Sequence, residues 1–317
     1  MLQEHEIVDC PPARSAGLVA RSVHDLEPAV AGPPAAARAV ALSVIIPTRN
    51  RPVLLRRALH SFAGAGDGVE IIVVDDGSSA ANGASSRLAC EQVAGCRYVR
   101  LARSRGASAA RNHGLGLSRG AYLWFLDDDD YATARTVADL VDAVSSRTEP
   151  QILLLPRAAM LDDTPIATTI PADEADKLER YRRHGLEVTT SCALFPRSVL
   201  ARLDGWDERL RALQDTDLFL RAAEIATFAS LRTEPVRVDL GAPHRITNTL
   251  VSSQLGKLQF LHKHWRRLPL RRRLRYLAQI LLCMPLLRAA RQRSMLAQIR
   301  GRRVLVAMPE RASQPLP

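Results

Sequence analysis

This chain predicts an α/β domain built around a mostly parallel sheet, and three observations predict it. Short runs rich in Val, Ile and Leu, the composition of strands covered on both faces, recur at 42–47, 69–74 and 122–126. Segments with apolar residues at helical spacing lie between them. Each run ends in polar residues: Thr48-Arg49-Asn50, Asp75-Asp76-Gly77-Ser78, and Asp127 to Asp130. Ligands of open α/β sheets gather beyond the carboxyl ends of the strands, so all three clusters are expected along one edge.

Residues 1–40 are rich in Ala, Pro and Arg without sustained periodicity, and read as a flexible arm. "LSVIIP" is a buried strand ended by Pro47. "RPVLLRRALHSF" carries Leu54, Leu55, Ala58, Leu59 and Phe62 at helical spacing, and Pro52 suits a first helical turn. "VEIIVVDDGSS" is a second strand running into a turn, and "RYVRL" a third. "ASAARNHGLGLS" is an Ala-rich helix in which Gly114 and Gly120 read as helix-end residues, and "AYLWFLD" is a fourth strand. "QILLLP" and "EPVRVDL" are further strands, and "TTSCALFPRSVLARL" is strand, turn and helix. "GWDERLRALQDTDLFLRAAEIA" holds a helix with Leu213, Leu218, Leu220 and Ala222 on its apolar face. These elements define a domain over 41–250, followed by a tail over 251–317.

Charged residues make up 24% of the chain and hydrophobic ones 47%, an ordinary globular balance. The five cysteines are scattered and form no C-x-x-C pair, which argues against a disulfide framework or a zinc site and for a reducing cytoplasm. The N-terminus lacks a signal-peptide layout. The longest apolar stretch, Tyr276 to Leu287, is shorter than the about 20 residues that cross a bilayer. The net charge of +11 is uneven. From residue 251 onward there are 15 Lys or Arg and one acid, Glu310, a net +14. The rest carries 29 bases and 32 acids, a net −3. Such asymmetry points to an anionic partner, phospholipid or nucleic acid.

Several chemistries are excluded. "GLGLSRG" has the spacing G-x-G-x-x-x-G and stands between a helix and a strand, so it is not a dinucleotide fingerprint. There is no G-x-x-x-x-G-K-[ST] loop and no G-x-S-x-G elbow. A nucleotidyltransferase would want a Gly-rich loop and a lysine after the first strand, and neither is present. What remains is the run Asp127-Asp128-Asp129-Asp130. Adjacent carboxylates are costly unless a cation shares them. Mg²⁺ and Mn²⁺ take oxygen ligands, commonly one or two carboxylates plus substrate phosphates. A helix starting near Thr133 accounts for one or two acids through its dipole, but not for four.

On these segments the chain resembles the family 2 glycosyltransferases of the GT-A fold. "SVIIPTRNRPVLLRRALHSF", "VEIIVVDDGSS", "SRGASAARNHGLGLSRGAYLWFLDDDD", "SCALFPRSVLARLDGWDERL" and "QDTDLFLRAA" run in the family order over roughly 42–248. The resemblance implies a GT-A nucleotide-binding fold with a basic helical C-terminal extension. It further implies an inverting, metal-dependent hexosyl- or N-acetylhexosaminyl-transferase, using Mn²⁺ or Mg²⁺ and a nucleotide-sugar donor, UDP-linked first. By the same resemblance Thr48, Arg49, Asn50 and Asp76 hold the nucleotide base, with Arg49 where the family often has an aromatic. Arg111 and Asn112 lie near the nucleotide, Asp127 and Asp128 face ribose, and Asp129 takes the metal, with Asp130 structural. Asp215 is the implied base; Gln214 stands where the family has a Glu, and Asp217 is read as structural. His244, in "PHRITNT", is a candidate metal ligand.

The implied acceptor is a glycan or glycolipid hydroxyl in cell-surface polysaccharide or glycolipid synthesis. Region 157–190 is expected to shape its pocket. The tail reads as basic, partly amphipathic helices, with seven Lys or Arg between Lys263 and Arg275. It suits an anionic membrane surface, at the inner face of the cell membrane, as well as it suits packing on the domain. Nucleic acid is the weaker option, since no binding motif is present. The alternative to an enzyme is a catalytically silent scaffold of the same fold, held to membrane or nucleic acid by this tail.

Overall fold

The structure is a computed structural model that describes residues 6–8, 40–66, 68–172, 177–186, 189–241 and 250–283. In chain order the strands are β1 (Glu6–Val8), β2 (Leu42–Thr48), β3 (Val69–Asp75), β4 (Cys96–Arg100), β5 (Tyr122–Phe125), β6 (Ile152–Leu154), β7 (Arg157–Leu161), β8 (Thr164–Thr169), β9 (Ala193–Pro196), β10 (Phe228–Ser230) and β11 (Val236–Asp239). The helices are α1 (Pro52–His60), α2 (Ala80–Glu91), α3 (Ala107–Leu117), α4 (Ala134–Ser145), α5 (Lys177–Arg183), α6 (Arg197–Leu203), α7 (Gln214–Ala222) and α8 (Leu250–His264), with α9 over 270–283.

The main sheet has the order β1-β4-β3-β2-β5-β9-β6-β10, and its centre, β4-β3-β2-β5, is parallel. Strands β2 and β3 are buried along their whole length, which is why their sequences are continuous apolar runs rather than alternating ones. Parallel pairing fixes where their ends fall. Ile45 pairs with Phe125 and Thr48 with Asp75. Continuing the first register three residues onward sets Thr48 level with Asp128. All three polar clusters therefore share one edge.

Helix α3 packs very closely on the sheet. A Cβ on Gly114 would lie 2.5 Å from the Ile45 Cγ2, and one on Gly120 would lie 2.6 Å from the Ser43 backbone N. These glycines are needed for close approach of the backbone, which corrects their reading as helix-end residues. Helix α4 starts where expected: the Thr133 side chain caps it by accepting from the Thr136 N–H.

Some elements were not anticipated. Glu6–Val8, within the presumed flexible arm, pairs antiparallel with β4. A three-stranded sheet, β11-β7-β8, includes a hairpin whose turn residues Asp162 and Asp163 have φ of 48° and 59°. That left-handed pair suits a tight hairpin turn. Helix α2 buries only small residues, Gly83, Ser86, Ala89 and Cys90, so no large apolar period announces it.

Contacts divide the chain into two units: Met1–Arg209 with Gln214–Pro243, and Leu210–Leu213 with His244–Pro317. In the second unit, Gln259 of α8 accepts a hydrogen bond from the Arg211 N–H at 3.0 Å. Gly256 lies so close to Ala212 that a Cβ would meet its backbone N at 2.4 Å. Rings of Phe260 and Tyr276, 5.9 Å apart, join α8 to α9. Among the described residues, no helix is long and apolar enough to cross a membrane.

Candidate active site

The four aspartates follow β5 at the shared edge, and each is held differently. Asp128 is buried and accepts from the Thr48 hydroxyl at 2.7 Å, as the β2–β5 register requires. Arg51, just before α1, bridges two of them: its Nη1 donates to Asp128 at 2.9 Å and to Asp129 at 3.2 Å. Arg57, one turn into α1, donates to the Asp129 carbonyl at 2.7 Å and to the Asp239 carboxylate at 2.6 Å. Asp130 is buried and accepts from the Asp239 N–H at 3.2 Å. Asp127 is partly exposed, pairs with Arg111 of α3, and has its own N–H bonded to the Ser191 hydroxyl at 3.1 Å.

The chain thus supplies three cations of its own to the acidic run. Burial nonetheless pushes the Asp128 carboxyl up to about 6, against the opposing pull of the Arg51 charge and the Thr48 hydrogen bond. Desolvation of this carboxylate outweighs its pairing.

Asp127, Asp129 and Asp130 each present a carboxylate oxygen, and the three oxygens lie within 4.8 Å of one another. That is a hard, all-oxygen donor set of the kind that suits Mg²⁺ or Mn²⁺. Asp130 belongs to this group, although it reads as structural in the sequence. His244, the other candidate ligand, lies outside the described residues.

The residues assigned to the nucleotide fall along the same edge, after β2 and β3. Asp76 is buried and takes three hydrogen bonds from the loop after β4: Ser104 Oγ at 2.6 Å, Arg105 N at 2.7 Å and Gly106 N at 2.9 Å. Asn50, at φ 55°, accepts from the Ser79 N–H at 2.8 Å and so ties the end of β2 to the start of α2. Arg49 beside it is exposed.

Helix α7 opens with Gln214-Asp215. Asp215 is partly buried and accepts from the Thr216 N–H at 2.7 Å. Burial raises its pKa, with the Arg111 charge opposing and the Asp127 charge adding to the rise. Leu213, two residues earlier, is in the left-handed region at φ 62°, a strained setting for a branched side chain. Asp217 is fully buried and paired with Arg221 at 2.8 Å. Arg221 also donates to the carbonyls of Leu203 and Gly205, bracing the turn that carries Trp206.

Asn112 is engaged in that bracing too. Its amide donates to the Trp206 carbonyl at 2.9 Å and accepts from the Trp206 N–H at 2.8 Å. Trp206 in turn underlies Arg111, whose guanidinium carbon sits 4.6 Å from the ring centroid. Asn112 is thus connected through Trp206 to the Arg111–Asp127 pair.

Sequence reasoning missed Arg51, Arg57 and Ser191. The available signal was topological. Once β2 and β5 are neighbours, residues just after one strand meet residues just after the other, so "NRP" was bound to face "DDDD".

Known proteins resemble this chain in sequence and in fold. The model of glycosyl transferase family 2 matches residues 43–203. The succinoglycan biosynthesis protein ExoU of Rhizobium meliloti is 32% identical over 88 residues, covering 28% of this chain and 26% of ExoU. The chain thus spans about a quarter of the length of that relative. Among solved structures, S. aureus TarS in complex with UDP-GlcNAc superposes with a TM-score of 0.57 at 17% identity, over 76% of this chain and 71% of that one. The mannosyltransferase PcManGT from Pyrobaculum calidifontis, in complex with GDP-Man and Mn²⁺, gives a TM-score of 0.52 at 17% identity, over 85% and 81%.

Proposed function

The chain belongs to glycosyl transferase family 2 and has the GT-A fold, and from that premise we propose that it moves a sugar from a nucleoside diphosphate, UDP first, to an acceptor hydroxyl with inversion. The observation that carries the proposal is the cluster of Asp127, Asp129 and Asp130 oxygens at the sheet edge that also holds Thr48 and Asp76, with Asp215 of α7 within electrostatic reach of Asp127. The UDP-GlcNAc bound to TarS supports a uridine nucleotide, and the name of ExoU supports an acceptor in polysaccharide assembly.

In this reading Asp129, with Asp127 and Asp130, holds Mn²⁺ or Mg²⁺. When bound, that ion offsets the charge developing on the diphosphate. The protein's own groups do the rest. Thr48, Arg49, Asn50 and Asp76 line the base and ribose side, with Arg49 free to stack on a base face. Asp128, held by Thr48 and Arg51, fixes the aspartate loop beside the ribose. Asp215 takes the proton of the acceptor hydroxyl. Its raised pKa makes it a stronger base than an ordinary carboxylate, and it is the ionised form that works.

Calorimetry with UDP tests the site. We expect saturable binding in Mn²⁺ and much weaker binding in EDTA, with Asp129→Asn losing the difference. Equal affinity in both conditions, or an Asp129→Asn protein that binds like the parent, overturns the assignment.

A further inference from the structure

We propose that the outward face of α9 is a docking surface for an anionic lipid membrane. The helix is built in reverse of a water-facing one. It buries Arg272, which is 3% exposed, together with Tyr276 and Ile280. It exposes Leu270 (62%), Leu274 (54%), Leu281 (69%) and Leu282 (77%). The buried arginine is provided for inside the second unit: its Nη2 donates to the Tyr276 hydroxyl at 3.2 Å, and its guanidinium lies over the rings of Phe260 and Tyr276. At 3.6 residues per turn, Leu270, Leu274 and Leu281 fall on one line, and Arg271, Arg275 and Leu282 on the adjoining one. Single exposed leucines are ordinary, but a line of them along one helix marks an interaction surface.

The charges identify the occupant. Residues 250–283 contain eight Lys or Arg and no acid. Arg271 and Arg275 are exposed on α9, on the line adjoining the leucines, and Arg266 and Arg267 are exposed in the turn that precedes it. Trp265 is half exposed, with the Arg273 guanidinium 5.0 Å from its ring centroid. A second copy of the chain would set these arginines against their own likeness. A nucleic acid would engage the arginines and leave the leucines in water. An anionic bilayer answers both halves: headgroups meet the arginines while the leucines and Trp265 enter the boundary with the acyl chains. Among the described residues no helix is long and apolar enough to cross a membrane, and the proposed mode is a helix lying in the interface.

The test is flotation of the full chain with phosphatidylcholine vesicles, with and without phosphatidylglycerol. It does not depend on any transferase activity. We expect flotation with anionic vesicles only, reversal by high salt, and a blue shift of tryptophan fluorescence. Leu274→Ser with Leu281→Ser, both at exposed positions, is expected to weaken partitioning about tenfold or more with unchanged circular dichroism. Arg271→Gln with Arg275→Gln is expected to lose roughly fivefold per charge. Three results each overturn the proposal: a leucine variant that floats like the parent, equal flotation with neutral vesicles, or no flotation with a dimer in light scattering that the leucine variant abolishes.

Discussion

At the amino end of the main sheet, Glu70 is buried with a full set of donors: the Ser43 hydroxyl at 2.5 Å, the Gly120 N–H at 3.2 Å, the Arg119 N–H and the Arg119 guanidinium. At the carboxyl end, Asp128 is buried just as deeply beside three more carboxylates. Burial works to raise both pKa values. At Glu70 the hydrogen bonds outweigh it and the pKa is lowered; at Asp128 they do not and it rises to about 6. One sheet thus carries a carboxylate that stabilises the fold and a carboxylate that strains it. The strained end is the one expected to do chemistry.

The largest effect expected at the strained end is on catalysis. Asp215→Asn is expected to lower the transfer rate about 10²–10⁴-fold while leaving UDP affinity and melting temperature near the parent's. The parent's rate is expected to fall as pH drops through the raised Asp215 pKa, because the base must be ionised; the variant's residual rate lacks that limb. Turnover within a few-fold of the parent removes Asp215 from the role and turns attention to Asp207, since Asp217 is fully buried against Arg221.

The next effect belongs to the stabilising end. Glu70→Gln leaves three backbone and hydroxyl donors without their carboxylate and is expected to cost about 2–3 kcal/mol of stability. A carboxylate with a lowered folded pKa gives stability that is present above its unfolded pKa and lost as pH falls through the folded one. The parent is therefore expected to lose this contribution below about pH 4, and the variant to show no such loss. UDP affinity is expected to stay unchanged. A variant that loses nucleotide binding but keeps its melting temperature would erase the distinction between the two ends.

Asp128→Asn has the opposite sign. Its carboxylate is ionised at neutral pH in folded and unfolded chains alike, and the folded state bears the desolvation. Stability from this group therefore falls as pH rises from about 4 to about 6 and stays low above that. The variant is expected to gain roughly 1–2 kcal/mol at pH 7.5, less than the shift alone converts to, because Thr48 and Arg51 lose a charged partner. Thermal melts at pH 4, 5 and 7.5 check it, the gain being smallest at the lowest pH and largest at the highest.

The parallel core and the shared edge were legible in the sequence because buried strands announce themselves as continuous β-branched runs, and polar residues at their ends stand out by contrast. The aspartate run was legible for the same reason. The arginines that neutralise it were not: Arg51 and Asp128 are 77 residues apart, and only strand order brings them together. Helix α2 escaped because Gly83, Ser86 and Ala89 carry little hydrophobic signal, and the β7–β8 hairpin because its turn is made by Asp162 and Asp163 rather than by glycine. In the tail, composition gave the charge but not the direction in which α9 turns its leucines.

The smallest effect sharpens the contrast within the functional edge itself. Arg49 and Asn50 are neighbours at the end of β2, yet only Asn50 is built into the fold, through Ser78, Ser79 and Asn82. Arg49 is exposed and makes no hydrogen bond or ion pair with other described residues. A surface side chain of that kind contributes to stability within about 0.5 kcal/mol, so Arg49→Ala is expected to melt with the parent. If its guanidinium stacks on the base, as a planar cation can, the lost contact is on the order of 0.5–1 kcal/mol, a two- to five-fold weaker UDP affinity. Arg49→Tyr is expected to restore that affinity, since an aromatic ring offers the same stacking face, whereas Arg49→Lys is not, because an ammonium has no plane. Calorimetry on the three variants separates stacking from charge. Rescue by Lys and not by Tyr would make Arg49 a phosphate-side charge and move the base elsewhere along the edge.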